Sequence, residues 1–214
     1  MWCVPELDDE YVERMEDLLD LYERPYDRRQ PVVCFDEKTV HLRDDARPSH
    51  MDRNGAHRRD SEYVRKGTAN VFCACEPKAG RHFVKVTHQR RKPDFARALR
   101  DVAARYPEAK IIHLVLDNLN THNESSLVET FGQREGRRLW RRFAVHYTPK
   151  HGSWLNQAEI QISVFSRQCL GKRRIGDVAA LSAAASAWRT RANRARWRIN
   201  WRFTVADARD LFGY

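Results

Sequence analysis

The chain has 214 residues, 42% of them hydrophobic, which suits one core of ordinary size and leaves little room for a second. Thirty-nine Lys and Arg against 29 Asp and Glu give a formal charge of +10, which favours polyanionic partners, nucleic acid foremost. No apolar run approaches the roughly 20 residues of a membrane-spanning helix and no signal peptide opens the sequence, so a cytoplasmic protein is expected.

Apolar positions at Val4, Leu7, Tyr11, Met15, Leu18, Leu19 and Tyr22 predict an amphipathic helix, closed by Pro25 or Pro31. The runs 32–35 and 39–42 are apolar on both strand faces and predict a buried central strand interrupted at Asp36 and Glu37. The polar, aperiodic stretch 43–66 predicts a long exposed loop or irregular hairpin. Strands over 68–76 and 82–87 flank the turn-forming Pro77-Lys78-Ala79-Gly80. Pro93 opens a helix through Phe95, Leu99 and Val102 that stops before Pro107. The almost wholly apolar run 111–116 predicts a strand covered on both faces and ending on Asp117. Helical segments are expected within 125–142, a strand over 143–147, and helices over 156–170 and 177–193. This order gives an α/β fold, a mixed five-stranded sheet with helices on both faces, in the ribonuclease H-like arrangement. The five cysteines, Cys3, Cys34, Cys73, Cys75 and Cys169, lack C-x-x-C spacing and predict reduced, buried thiols rather than disulfides or a zinc site.

Asp36 follows an apolar run and Asp117 ends another, which puts both carboxylates on the sheet. A buried ionised carboxylate needs a cation or strong donors to compensate it. Glu159 lies at the margin of the apolar stripe of its helix, so that helix can press on the sheet and still aim the carboxylate inward. Three converging carboxylates suit two Mg²⁺ or Mn²⁺ ions, because hard cations take oxygen ligands and a pair can stabilise both the attacking and the leaving oxygen of a phosphoryl transfer. The plainer alternatives are that Asp36 pairs with Lys38 or an Arg, that Asp117 caps the next helix, and that Glu159 is solvated.

Three blocks, Val32-Val33-Cys34-Phe35-Asp36-Glu37-Lys38, His113 to His122 with Asp117-Asn118 at its centre, and His146 to Glu159 with Leu155-Asn156-Gln157-Ala158-Glu159 at its end, resemble the signature blocks of DDE transposases. The branch they resemble is the bacterial insertion-sequence relatives of the Tc/mariner superfamily. The resemblance implies that Asp36, Asp117 and Glu159 bind the metal ions. It also implies that DNA ends are cut and joined to target DNA at a TA step, by a homodimer on DNA. The chain opens almost at the first block, so a single catalytic domain over 1–214 is expected, without the family's usual helix-turn-helix recognition region, which lies in a separate reading frame, has been removed, or has been lost in a decayed copy.

For DNA contact, Lys150, His151, Trp154 and Asn156 lead into the Glu159 helix, and Arg194, Arg196 and Arg198 lie in a segment where arginines alternate with Trp197 and Trp201. His122, five residues after Asp117, reads as an ordinary loop histidine that could orient the loop. No G-x-x-x-x-G-K-[ST] loop occurs, so nucleotide use is not expected. Two other readings use the same residues: a ribonuclease H-like nuclease that transfers phosphate only to water, and a decayed fragment that binds DNA without cutting it.

Overall fold

A computed structural model describes residues 7–214; Val4, the first position of the predicted N-terminal helix, and Cys3 lie outside them. Helix α1 (Asp9–Glu23) is capped by Asp8, whose side chain accepts from the Tyr11 N–H, and it buries Tyr11, Met15, Leu18, Leu19 and Tyr22 as the spacing requires. The sheet follows: β1 (Val32–Asp45), β4 (Tyr63–Glu76), β5 (Arg81–Thr87), β6 (Ile112–Leu116) and β7 (Phe143–Tyr147), in the order β5-β4-β1-β6-β7. The β1–β4 and β4–β5 pairs are antiparallel and the β1–β6 and β6–β7 pairs parallel, so the sheet is mixed.

Successive side chains of β1 alternate between two cores. Val33 and Phe35 face α2 (Lys92–Ala103), α3 (Glu124–Phe131) and α4 (Gln133–Trp140). Val40 and Leu42 face α5 (Ala158–Phe165) and α6 (Val178–Ala195), and Cys34 faces α1 and α7 (Val205–Phe212) on that same side. Each large apolar side chain buried this way contributes about 1.5–3 kcal/mol, which is why a central strand covered on both faces reads as a continuous apolar run.

One expectation is corrected. The Asp-Glu pair does not interrupt the first strand: β1 runs unbroken through Asp36 and Glu37, because β4 pairs with it residue by residue from Cys34 to Leu42. Of the two alternatives for the stretch 43–66, the irregular hairpin holds. Past a register shift at Leu42/Arg43 the two strands continue as a ribbon to Asp45 and Tyr63, tipped by the short pair β2 (His50–Met51) and β3 (His57–Arg58). The Arg174 guanidinium ties the ribbon's base, donating to the Asp45 carboxylate at 2.8 Å and to the carbonyls of Asp60, Ser61 and Glu62 at 2.5, 3.1 and 2.7 Å. The helical segments expected within 125–142 are two helices, divided at Gly132, whose φ of 82° is left-handed and favours glycine. α7 and its packing on α1 carried no recognised sequence signal. Cys34, Cys73, Cys75 and Cys169 are buried free thiols, as expected.

Candidate active site

The parallel β1–β6 ladder ends at the pair Cys34–Val115. Asp36 and Asp117 each stand two residues further on, so both carboxylates occupy the opening where the two strands part. Helix α5 is fixed beside Asp36 by Asn156: its Nδ2 donates to the Phe35 carbonyl at 2.9 Å, and its Oδ1 accepts from the Ala158 N–H at 3.1 Å. This places Glu159, exposed in the first turn of α5, against the strand that carries Asp36.

The charges confirm the neighbourhood. Burial, reinforced by the nearby charges of Glu159, Glu37 and Asp117, outweighs the hydrogen bond from the Glu37 N–H and lifts the Asp36 pKa to about 7. Among the described residues no Lys or Arg pairs with Asp36, whose Oδ1 accepts that one N–H at 2.7 Å. Asp117 does not cap the next helix, since Asn123 caps α3. It is bonded instead by His122 Nδ1.

Glu37 is the site residue that sequence reasoning missed, and His122, read as an ordinary loop histidine that could orient the loop, is bonded to Asp117. His122 is 1% exposed, stacked on Phe95 with centroids 4.5 Å apart, and its Nε2 lies 3.3 Å from Glu37 Oε2, an ion-pair distance at an angle unsuited to a hydrogen bond. Glu37 in turn meets Arg90 at 3.3 Å. Burial disfavours the His122 cation, but its bond to Asp117 and the two facing carboxylates prevail and hold its pKa at about 9. A protonated His122 donates from Nδ1 to the Asp117 carboxylate and sets its positive charge against Glu37, and so fixes the Asp117 side chain. The signals were the Asp36-Glu37 pair and the Asp117-to-His122 spacing, neither of which says which sheet face a side chain takes.

A cleft of about 930 Å³ opens at Asp117 and is walled by Asn118, Lys150, His151 and Ser153 together with Tyr11 and Arg14 of α1. Lys150 and His151 are exposed there, and His151 holds a left-handed φ of 63°. Trp154 packs inward, its Nε1 donating to the Tyr11 hydroxyl at 3.3 Å and its ring stacked on Trp201 at 6.4 Å. Asn156 is corrected: 1% exposed, with both ends of its amide bonded internally, it is a brace and not a DNA contact. Arg194, Arg196 and Arg198 are exposed, but Arg196 and Arg198 line a different groove from the cleft at Asp117.

Among the described residues no three Asp, Glu, His or Cys side chains already converge on one point as a cation cage. The donor set still fits a hard divalent ion: three carboxylates on neighbouring elements, one of them raised by burial and then by the others' charge and, among the described residues, pairing with no Lys or Arg.

Solved structures with a similar fold are those of Mos1. They include its strand transfer complex (TM-score 0.58, 14% identity, 92% of this chain and 59% of that one) and its mariner paired end complex with Mn (0.55, 16%, 92% and 60%). A pre-cleavage Mos1 transpososome aligns likewise (0.56, 14%, 92% and 63%). The shared architecture is the expected ribonuclease H-like one, and the chain spans about 60% of the length of these structures. No curated protein matches the chain by sequence. A family model described as DDE superfamily endonuclease matches residues 31–182, which take in Asp36, Asp117 and Glu159, and the chain therefore belongs to the DDE superfamily endonucleases.

Proposed function

We propose that this protein is a transposase that cuts the ends of a mobile DNA element and joins them to target DNA, with Asp36, Asp117 and Glu159 as ligands of two Mg²⁺ or Mn²⁺ ions. The observation that carries the reading is the site at the parting of β1 and β6, where Asp36, buried and near the charges of Glu159 and Asp117, pairs with no Lys or Arg among the described residues. When bound, the paired cations supply charge stabilisation to the attacking and leaving oxygens of an in-line displacement. The chain's own residues do the positioning. Asp36 is held by the strand, Asp117 by His122, and Glu159 by the Asn156 brace. Lys150 and His151, on the wall of the Asp117 cleft, are placed to meet DNA phosphates.

The finer reading follows the three sequence blocks: a bacterial insertion-sequence enzyme of Tc/mariner type, acting in the cytoplasm as a homodimer on DNA, with a TA target and a separate helix-turn-helix module. No helix among the described residues is long and apolar enough to cross a membrane. The test is incubation with a terminal-repeat duplex, a target duplex and Mn²⁺, with the recognition module added where one is identified. Joined products support the transposase. Hydrolysis alone would return the protein to the nuclease reading, and metal-independent binding without cleavage to that of a DNA-binding fragment.

A further inference from the structure

We propose that the β4–β5 hairpin end of the sheet carries a second DNA-backbone site, separate from the cleft at Asp117 and formed by Lys78, Arg81, Arg105, Arg196 and Arg198. The inference rests on the nucleic-acid reading above and names a surface that reading does not require. These five side chains come from the β4–β5 hairpin, the segment after α2 and the segment after α6, and they line one open groove of about 700 Å³. Of the five, Arg81 alone stands within ion-pair distance of a carboxylate among the described residues, the buried Glu76 at 3.5 Å. Arg105 and Arg81 rest over the rings of Phe83 and Tyr106, 5.5 and 5.8 Å from the centroids, and Lys78 Nζ donates to the Arg24 carbonyl.

The backbone beneath Arg196 and Arg198 is pinned to the hairpin. The His82 N–H donates to Asn193 Oδ1 at 2.7 Å, and Asn193 Nδ2 returns a bond to the His82 carbonyl at 2.9 Å. His82 Nε2 lies 2.8 Å from the Trp197 carbonyl, and the Ile199 N–H donates to the Pro77 carbonyl at 3.1 Å. Arg196 itself is left-handed (φ 48°) and pressed so closely on Gly80 that a Cβ there would lie 2.6 Å from its carbonyl carbon. The cations are therefore mounted before any ligand arrives, which lowers the ordering cost of binding.

An excess of fixed positive charge along an open groove suits a ligand whose negative charge repeats, and duplex DNA carries one charge per about 1.7 Å of axis. The groove lies where β4 ends at Glu76, three residues or about 10 Å along the strand from Cys73, the partner of Asp36. It shares no lining residue with the cleft at Asp117, so it takes backbone outside the stretch being cut.

The test compares the wild-type chain, the triple variant R105Q/R196Q/R198Q and a control triple R134Q/R137Q/R141Q, which removes the same charge from exposed positions on and just after α4. Each is titrated by fluorescence anisotropy with a labelled duplex of about three helical turns at several salt concentrations, after thermal melting confirms folding. The groove triple should flatten the slope of log K against log salt by up to ~0.9 per lost phosphate contact, and the control should leave it unchanged. The single variants R105Q and R198Q, on separate elements, should each show part of that loss and carry the test if the triple melts early. An unchanged slope in the groove variants, or equal loss in the control, would overturn the site. Absence of salt-dependent binding by the wild type would instead remove the nucleic-acid reading on which it rests.

Discussion

Asp36 and Glu37 are adjacent in the chain but face opposite sides of the central sheet, Asp36 beside Cys73 toward α5 and Glu37 beside Phe72 toward α2. Asp36 therefore lies on the Glu159 side of the sheet, while Glu37 faces His122, the residue bonded to Asp117. Glu37→Gln should lower the His122 pKa from about 9 toward the ordinary value near 6.5. A raised histidine pKa contributes stability that is complete below about 6.5 and is lost as pH rises through about 9. The gap in melting temperature between wild type and Glu37→Gln should thus narrow between those pH values. NMR titration of the His122 ring checks the cause, and an unmoved His122 pKa would dissolve the proposed bridge.

Asp117→Asn keeps the shape of the side chain and removes its charge. We expect Mn²⁺-dependent nicking and strand transfer to vanish, since metal ions supply several kcal/mol of transition-state stabilisation, while the fold and nonspecific DNA affinity persist. The metal-induced rise in melting temperature should shrink as well. Wild-type cleavage with an unchanged rise would place the metal elsewhere.

The elevated Asp36 pKa sets a pH window. A carboxylate whose folded pKa is raised from 3.8 to about 7 binds its proton more tightly in the folded state, so the metal-free protein should gain stability from this group as pH falls from about 7 toward 4. Asp36→Asn should therefore raise the melting temperature most at pH 8 and least near pH 4. Metal binding needs the ionised form, so the Mn²⁺-induced shift should weaken below pH 7. Calorimetric scans across pH 4–8, with and without Mn²⁺, read both trends. A pH-independent difference between the two proteins would refute the assignment.

Asn156→Ala leaves the Phe35 carbonyl buried without its donor, which costs about 1–3 kcal/mol, or about 2–4 °C in melting temperature per kcal/mol for a chain of this size. DNA affinity of the folded fraction should stay at the wild-type value, because this side chain is internal. Loss of affinity without loss of stability would restore the view of Asn156 as a DNA contact.

The strands and helices around the site were legible because burial on both faces writes itself as continuous apolar runs at 32–35 and 111–116, and the helix of Glu159 as a three-to-four period. Asp36, Asp117 and Glu159 stood at the ends or margins of those patterns and could be singled out. Asn156 looked like a helix-start residue and is one, but only the fold reveals that its amide spans to Phe35. Glu37 escaped, and His122 was readable only as a loop histidine, because their roles depend on a contact between the β6–α3 loop and one face of β1, and local periodicity carries no record of it. The arginines after α6 were readable as charge, yet their distance from the Asp117 cleft is set by the pinning of residues 193–199 to the β4–β5 hairpin, a tertiary fact.

The ribbon beyond Leu42 is tied at its base by Arg174, whose guanidinium clasps Asp45 on one strand and the carbonyls at 60–62 at the start of the other, with the Arg43–Ile175 backbone bond and the Arg59–Asp45 pair beside it. Such a joint gives the molecule two exchange regimes. Amides of β1 up to Leu42, sealed between two cores, should trade hydrogen for deuterium only when the whole domain opens, whereas those at 43–64 should exchange through a local opening in which release of Arg174 is one step. Arg174→Ala would collapse the slower part of that second regime and leave the first untouched, turning a braced extension of the sheet into an independently fluctuating arm.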